Sequence, residues 1–132
     1  MNNSPIFLGC QPRGGTSLLR TMLGKHPNIY GGDGFETNWF SDEMRDRWKN
    51  NKSKRQNWLQ EWYGGSEKEL LMIKDKSDSG IDFFNRFMNF CTKREGKSRW
   101  IEKTPDNLRH FKLIFEYWPN AKFIHGIRDF RD

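Results

Sequence analysis

Valine is missing altogether from the 132 residues, and cysteine is held to two. Without Val, and with Leu and Ile sparse, a core has to be built from rings, of which 11 Phe, 6 Trp and 3 Tyr are available. Cys10 and Cys91 lie far apart in sequence, which excludes a disulfide framework and a cysteine-spaced metal site. Cys10 ends an apolar run and reads as a small buried residue, and a reducing compartment is expected. There is no run of about 18 apolar residues, so no transmembrane helix is expected. The opening stretch "MNNSPIFLGC" has neither a basic region nor a long apolar segment, so no secretory leader is expected and the expected location is cytoplasmic. Internal repeats and low-complexity segments are absent too. Charge of one sign is never concentrated, apart from "KNNKSKRQ" at 49–56. The net +6 is spread among interleaved acids and bases. That pattern argues against a nucleic-acid partner and leaves a small polyanion in play. A single domain over 1–132 is the expectation at this length.

What is present has a clear order. "PIFLGC", 5–10, reads as a short buried strand, and Thr16 or Ser17 as the cap of a helix with Leu18, Leu19, Met22 and Leu23 on one face. Gly24 is its stop, and 26–35 is a glycine-rich loop. Residues 36–63 read as helical but noisy, and "YGGSEKE" breaks the pattern. Ile81, Phe84, Met88 and Cys91 define a helix over 79–93 that Ser79 caps. "RWIEK", 99–103, is a strand, and Thr104-Pro105-Asp106 reads as the start of a helix with an apolar stripe of Leu108, Phe111, Phe115 and Trp118. "AKFIHGI", 121–127, is a further strand. Strand, helix, strand over so short a span predicts a βαβ unit with parallel strands, hence an α/β fold.

The segment Gly9-Cys-Gln-Pro-Arg-Gly14-Gly15-Thr16-Ser17 sits between the first strand and its helix. It keeps the glycine spacing of G-x-x-x-x-G-K-[ST] but puts Gly15 where the lysine belongs. That lysine reaches the β- and γ-phosphates of a nucleoside triphosphate, so its loss argues against triphosphate hydrolysis. The backbone N–H groups of such a loop and its helix N-terminus still suit an anion. Thr16 and Ser17 add hydroxyls, and Arg13 adds a forked cation for a terminal oxyanion.

These residues carry a resemblance. "PRGGTSLLRTMLGKHP" resembles the 5′-phosphosulfate loop of the sulfotransferases, in particular the tyrosylprotein and related bacterial-type branch, which reads P-R-S-G-T-T/S-L-L/M-x-x-M-L-x-x-H-P. Gly15 matches, and Gly14 stands where serine is usual. The resemblance implies a P-loop NTPase-like fold, a parallel sheet flanked by helices. It also implies 3′-phosphoadenosine 5′-phosphosulfate (PAPS) as nucleotide cosubstrate, no metal, and a hydroxyl or amine acceptor. It assigns the donor to Arg13, Gly14, Gly15, Thr16 and Ser17.

"KFIHGIRDFRD", 122–132, resembles the second cofactor motif K-F-I-x-x-x-R-D-P-R-D, with Arg128 on the 3′-phosphate and Phe130 where proline is common. "GFETNWF", 34–40, resembles the G-E-E-T segment and makes Glu36 the base; "WIEKTPDNLRH", 100–110, puts Lys103 on the leaving group. Glu36, Lys103 and Arg13 are then the catalytic set. The serine that completes the 3′-phosphate site in the family would follow Asp132, so the expectation is an N-terminal portion of a single sulfotransferase domain.

Two other readings follow from the residues. One is a P-loop kinase-like phosphotransferase, which would require magnesium; the other is a non-catalytic binder of polyanions or nucleic acid. His26 is a rival base, and Trp48, Trp58 and Trp62 are expected to pack the core.

Overall fold

The computed structural model describes residues 4–32, 36–41, 64–129 and 131. Strand β1 (Ile6–Cys10) leads into helix α1 (Thr16–Gly24) and then β2 (Ile29–Tyr30). Helices α2 (Glu67–Asp75) and α3 (Gly80–Arg94) follow, then β3 (Arg99–Lys103), α4 (Asn107–Tyr117) and β4 (Lys122–Gly126). The strands form one sheet in the order β2-β3-β1-β4, and every pairing is parallel. The expected α/β class with a parallel sheet flanked by helices is what the chain adopts.

Alternation along β1 divides the core between the two faces of the sheet. Ile6 and Leu8 join Ile101 on one face, under Leu19 and Leu23 of α1. Phe7 points the other way, toward Trp100, Trp118 and the buried side of α3. Both faces are covered, which is why β1 is apolar throughout and why β3 buries even its charged residues Glu102 and Lys103. The missing valine is made up in rings: Phe7 meets Phe40 at 5.6 Å and Trp100 and Trp118 each at 5.3 Å between centroids. Buried indoles need acceptors. Asn85 and Asn89, one turn apart on α3, accept from Trp118 (3.0 Å) and Trp100 (3.2 Å), while Trp39 donates to the Gly80 carbonyl (2.8 Å). Cys10 and Cys91 are both buried, and burial pushes the Cys91 thiol up to about 11.

Several local expectations are corrected. Neither Thr16 nor Ser17 caps α1; Gly15 holds that position at φ 77° with no side-chain cap. Leu19 and Leu23 pack on the sheet, whereas Leu18 and Met22 are exposed, so the apolar face is narrower than the sequence pattern. Helix α4 starts at Asn107, not at Thr104-Pro105, because the Thr104 hydroxyl is engaged with Glu102 and the Pro105 carbonyl accepts from Cys10. Its buried residues are Asn107 and Ile114, with Trp118 beyond the last turn, while Phe111 and Phe115 face outward. The loop reading of 26–35 overlooked β2, and α2 was not foreseen although Ser66 and Glu69 form a capping box at its start. Residues 36–41 are not helical: Trp39 and Phe40 are core residues of an irregular segment. The remainder of the expected 36–63 helix, with Trp48, Trp58 and Trp62, lies outside the described residues.

Candidate active site

Parallel strands bring their carboxyl ends to one edge, and an open α/β sheet places its ligand sites there. In register, Leu8 pairs with Lys103 across β1 and β3, and Cys10 pairs with Gly126 across β1 and β4. Neighbouring strands are about 5 Å apart. The loop after β1, the end of β3 and the segment after β4 therefore converge, and Arg13, Lys103 and Arg128 arrive at the same edge.

The glycine-rich loop is shaped by its backbone. Arg13 adopts φ 69° and Gly15 φ 77°, both left-handed, on either side of Gly14. Interleaved left-handed residues are the backbone signature of an anion-binding nest, but here the Gly14 N–H is donated to the Gln11 carbonyl at 3.1 Å, which leaves the N–H groups at the start of α1 for an anion. An added Cβ at Gly15 would meet nothing, so glycine is there for its φ alone. At Gly14 a Cβ would lie 3.0 Å from the Cys10 side chain and the Gln11 carbonyl. The glycine at 14, where the family pattern has serine, thus goes with the cysteine packed beneath it. The first N–H groups of α1 have no intrahelical partner, and no side chain caps them. Thr16 is buried and its hydroxyl lies 3.4 Å from Cys10 Sγ, while Ser17 is exposed.

Beside this loop lies a cleft of about 730 Å3. Arg13 and Gly14 line one side; His125, Arg128 and Asp129 line the other. Arg128 reaches across and donates to the Arg13 carbonyl at 3.4 Å. Gly15, Thr16 and Ser17 are not part of the lining, so of the loop residues proposed from sequence it is Arg13 and Gly14 that share this cleft with Arg128.

The second half of the site is an ion pair. Lys103 Nζ donates to Glu36 Oε1 at 2.8 Å. The lysine side chain is 5% exposed and the glutamate 39%, so a buried ammonium meets a carboxylate that water still reaches. Two residues 67 positions apart, each singled out separately from the sequence, are thereby joined. Gly9 permits the close approach of α4 behind them, since a Cβ there would lie 2.8 Å from the Leu108 nitrogen.

His26 does not join this group. Its Nδ1 accepts from the Asn28 N–H (3.1 Å), and the Asn28 carbonyl in turn accepts from the Ser98 and Arg99 N–H groups at the amino end of β3. The five residues of β3 separate it from Lys103, about 13 Å at a strand's rise. Arg109 and His110, on α4, instead pair with Asp106 just before its first turn.

Sequence reading passed over one buried group. Glu102, next to Lys103, is fully buried, and burial pushes its carboxyl above the usual range; hydrogen bonds from Asn107, Thr104 and Thr37 offset only part of that. The signal was available, because a strand covered on both faces buries every side chain it carries.

A model of the Sulfotransferase family matches residues 5–132. The chain is similar to protein-tyrosine sulfotransferase of Drosophila melanogaster, at 30% identity over 131 residues covering 96% of this chain and 23% of that protein. Protein-tyrosine sulfotransferase A of Caenorhabditis elegans is 28% identical over 131 residues, 96% of this chain and 30% of that protein. Protein-tyrosine sulfotransferase 1 of Homo sapiens is 30% identical over 133 residues, again 96% of this chain and 31% of that protein. The chain spans less than a third of the length of each of these relatives. With a parallel α/β sheet, a glycine-rich loop at its carboxyl edge and a family match across nearly the whole chain, this protein belongs to the sulfotransferase family.

Proposed function

We propose that the chain moves a sulfuryl group from PAPS to a hydroxyl or amine acceptor. The observation that carries this reading is the 2.8 Å pair of Glu36 and Lys103 at the edge that also bears the glycine-rich loop. Sulfuryl transfer, like phosphoryl transfer, runs through a loose transition state in which positioning and charge stabilisation do most of the catalysis. A carboxylate and an ammonium held side by side supply its two proton-handling groups. Glu36 takes the proton from the acceptor as the new O–S or N–S bond forms. Lys103 donates its hydrogen bond to the bridging oxygen as the S–O bond breaks and negative charge collects on the leaving 5′-phosphate. Arg13 and the N–H groups at the start of α1 hold the phosphosulfate oxygens, with Gly14, Gly15, Thr16 and Ser17 shaping that turn. Arg128, across the cleft, takes the 3′-phosphate. The cleft fits the donor in chemistry, having Arg13 of the glycine-rich loop on one wall and Arg128 on the other. By name the relatives act on protein tyrosine, so a tyrosyl peptide is the acceptor to test first.

The test is a pair of substitutions in a metal-free transfer assay. Glu36→Gln abolishes turnover and leaves binding of 3′-phosphoadenosine 5′-phosphate intact. Arg128→Ala weakens nucleotides bearing a 3′-phosphate by about 10-fold or more, and those lacking it hardly at all. Surviving turnover in Glu36→Gln, or equal losses for both nucleotide classes, would sink the reading.

A further inference from the structure

Glu102 lies between the two halves of the ion pair in its connections, though it belongs to neither. Its Oε1 receives three hydrogen bonds: from Thr104 Oγ1 (2.6 Å), Thr37 Oγ1 (2.8 Å) and the Thr37 N–H (3.3 Å). Its Oε2 receives one, from Asn107 Nδ2 (2.6 Å). The two hydroxyls are oriented by what they accept. Thr37 Oγ1 takes the Trp39 N–H (3.3 Å) and Thr104 Oγ1 the Asn38 N–H (3.1 Å), so each has its proton to give to Glu102. Asn107 also donates to the Leu8 carbonyl at 3.0 Å, which fixes its amide and ties the group to β1.

Two features set this apart from ordinary core packing. First, every partner donates and every partner is neutral, on a carboxyl with no exposed surface. Burying a carboxylate without a counter-charge costs stability, and an apolar side chain of similar volume would avoid that cost. Second, the bonds run to the chain neighbours of the functional pair. Thr37 follows Glu36, and Glu102 precedes Lys103. Residues 36–41 have no regular secondary structure to hold them, so the Thr37 and Asn38 bonds, with Trp39 and Phe40 in the core, fix where Glu36 emerges.

We infer that Glu102 is a positioning residue: its hydrogen-bond cluster with Thr37, Thr104 and Asn107 sets the distance between Glu36 and Lys103. The inference rests on the reading of those two as base and leaving-group cation. A glutamine cannot replace Glu102. With its oxygen toward the three-donor side, its NH2 faces Asn107 Nδ2, which cannot turn without giving up the Leu8 carbonyl.

The experiment compares Glu102→Gln, Thr37→Val and Thr37→Ser with the unaltered chain by two readouts. One is kcat at saturating PAPS beside the Kd of 3′-phosphoadenosine 5′-phosphate. The other is the rate of Lys103 amine labelling by acetic anhydride, read by mass spectrometry against exposed Lys122. Expected are a fall in kcat of about 10- to 100-fold in Glu102→Gln and about 10-fold in Thr37→Val, with Kd within about 2-fold. Thr37→Ser, which keeps the hydroxyl, returns to within about 3-fold of the unaltered kcat. Lys103 labelling rises several-fold in the first two variants and not in Thr37→Ser. Unchanged kcat and labelling in both disrupting variants, or a serine variant as impaired as valine, would overturn the inference. If Glu102→Gln does not fold, the two Thr37 variants decide it. If the unaltered chain has no turnover, the sulfotransfer reading fails on that arm and the labelling ratios alone judge the positioning role.

Discussion

The pair of Lys103 and Glu36 is asymmetric, and the asymmetry makes an unusual prediction. Lys103 is 5% exposed and Glu36 39%. Replacing Glu36 by Gln leaves a buried ammonium facing a neutral oxygen. Breaking a fully buried pair this way costs about 3–5 kcal/mol. Water reaches the Glu36 side, and the amide still accepts a hydrogen bond, so the expected cost is about 1–2 kcal/mol. Replacing Lys103 by Met removes the buried charge and fills a similar volume with an unbranched chain. The stranded Glu36 is hydrated, and the expected change is within about 1 kcal/mol of zero. For a chain of this size 1 kcal/mol moves Tm by about 3–5 °C. Calorimetry should therefore find Glu36→Gln lower by about 3–10 °C and Lys103→Met close to the unaltered chain, although both should abolish the proposed sulfuryl transfer. In the double variant the Glu36 change should cost nothing further, a coupling of about 1–2 kcal/mol. A Lys103→Met protein less stable than Glu36→Gln, or additive effects, would refute the placement of these charges.

Two more predictions follow from the loop and the buried carboxyl. Gly15→Ala suffers only the left-handed backbone penalty of about 1–2 kcal/mol, because space around its Cβ is open. Gly9→Ala drives a Cβ to 2.8 Å from the Leu108 backbone and should cost more, about 2–3 kcal/mol or above by urea unfolding; the opposite ranking would mean α4 does not pack on β1 as described. Burial raises the Glu102 carboxyl above its ordinary 4.5, so the folded state keeps this proton longer than the unfolded one. Its contribution to stability is complete below that value and is lost as pH rises through the folded pKa. Relative to Glu102→Gln, the unaltered chain should gain more in Tm at pH 5 than at pH 8, and a flat or inverted difference would contradict this.

The parts of the fold legible in the sequence were those where local pattern and tertiary demand agree. β1 is a short apolar run, β3 and β4 are short segments with an apolar pair at their centre, Trp100-Ile101 and Phe123-Ile124, set between turn residues, and α3 repeats its apolar residues over four turns behind a serine cap. β2 has two residues, too few to show any period. In α1 and α4 the apolar residues outnumber the places the sheet offers, so periodicity could not tell Leu19 from Leu18, or Ile114 from Phe115. Thr104-Pro105 has the composition of a helix start, but the Thr104 hydroxyl is claimed by a carboxyl two residues earlier, and a sequence window does not price that competition. The site divided along the same line. Arg13, Lys103 and Arg128 could be placed together because parallel topology gathers strand ends. That Lys103 binds Glu36, and that Glu102 stands behind both, depends on a contact between segments more than sixty residues apart.

The most direct test of the central claim is thermal unfolding with 3′-phosphoadenosine 5′-phosphate in metal-free buffer, beside ADP with and without magnesium. At a hundred times its Kd a bound nucleotide adds about 2.7 kcal/mol, which is a shift of about 8–14 °C. The account predicts that shift for the 3′-phosphorylated nucleotide without metal, its loss in Arg128→Ala, and little response to ADP. Stabilisation by ADP with magnesium alone would contradict it and point to a phosphotransferase.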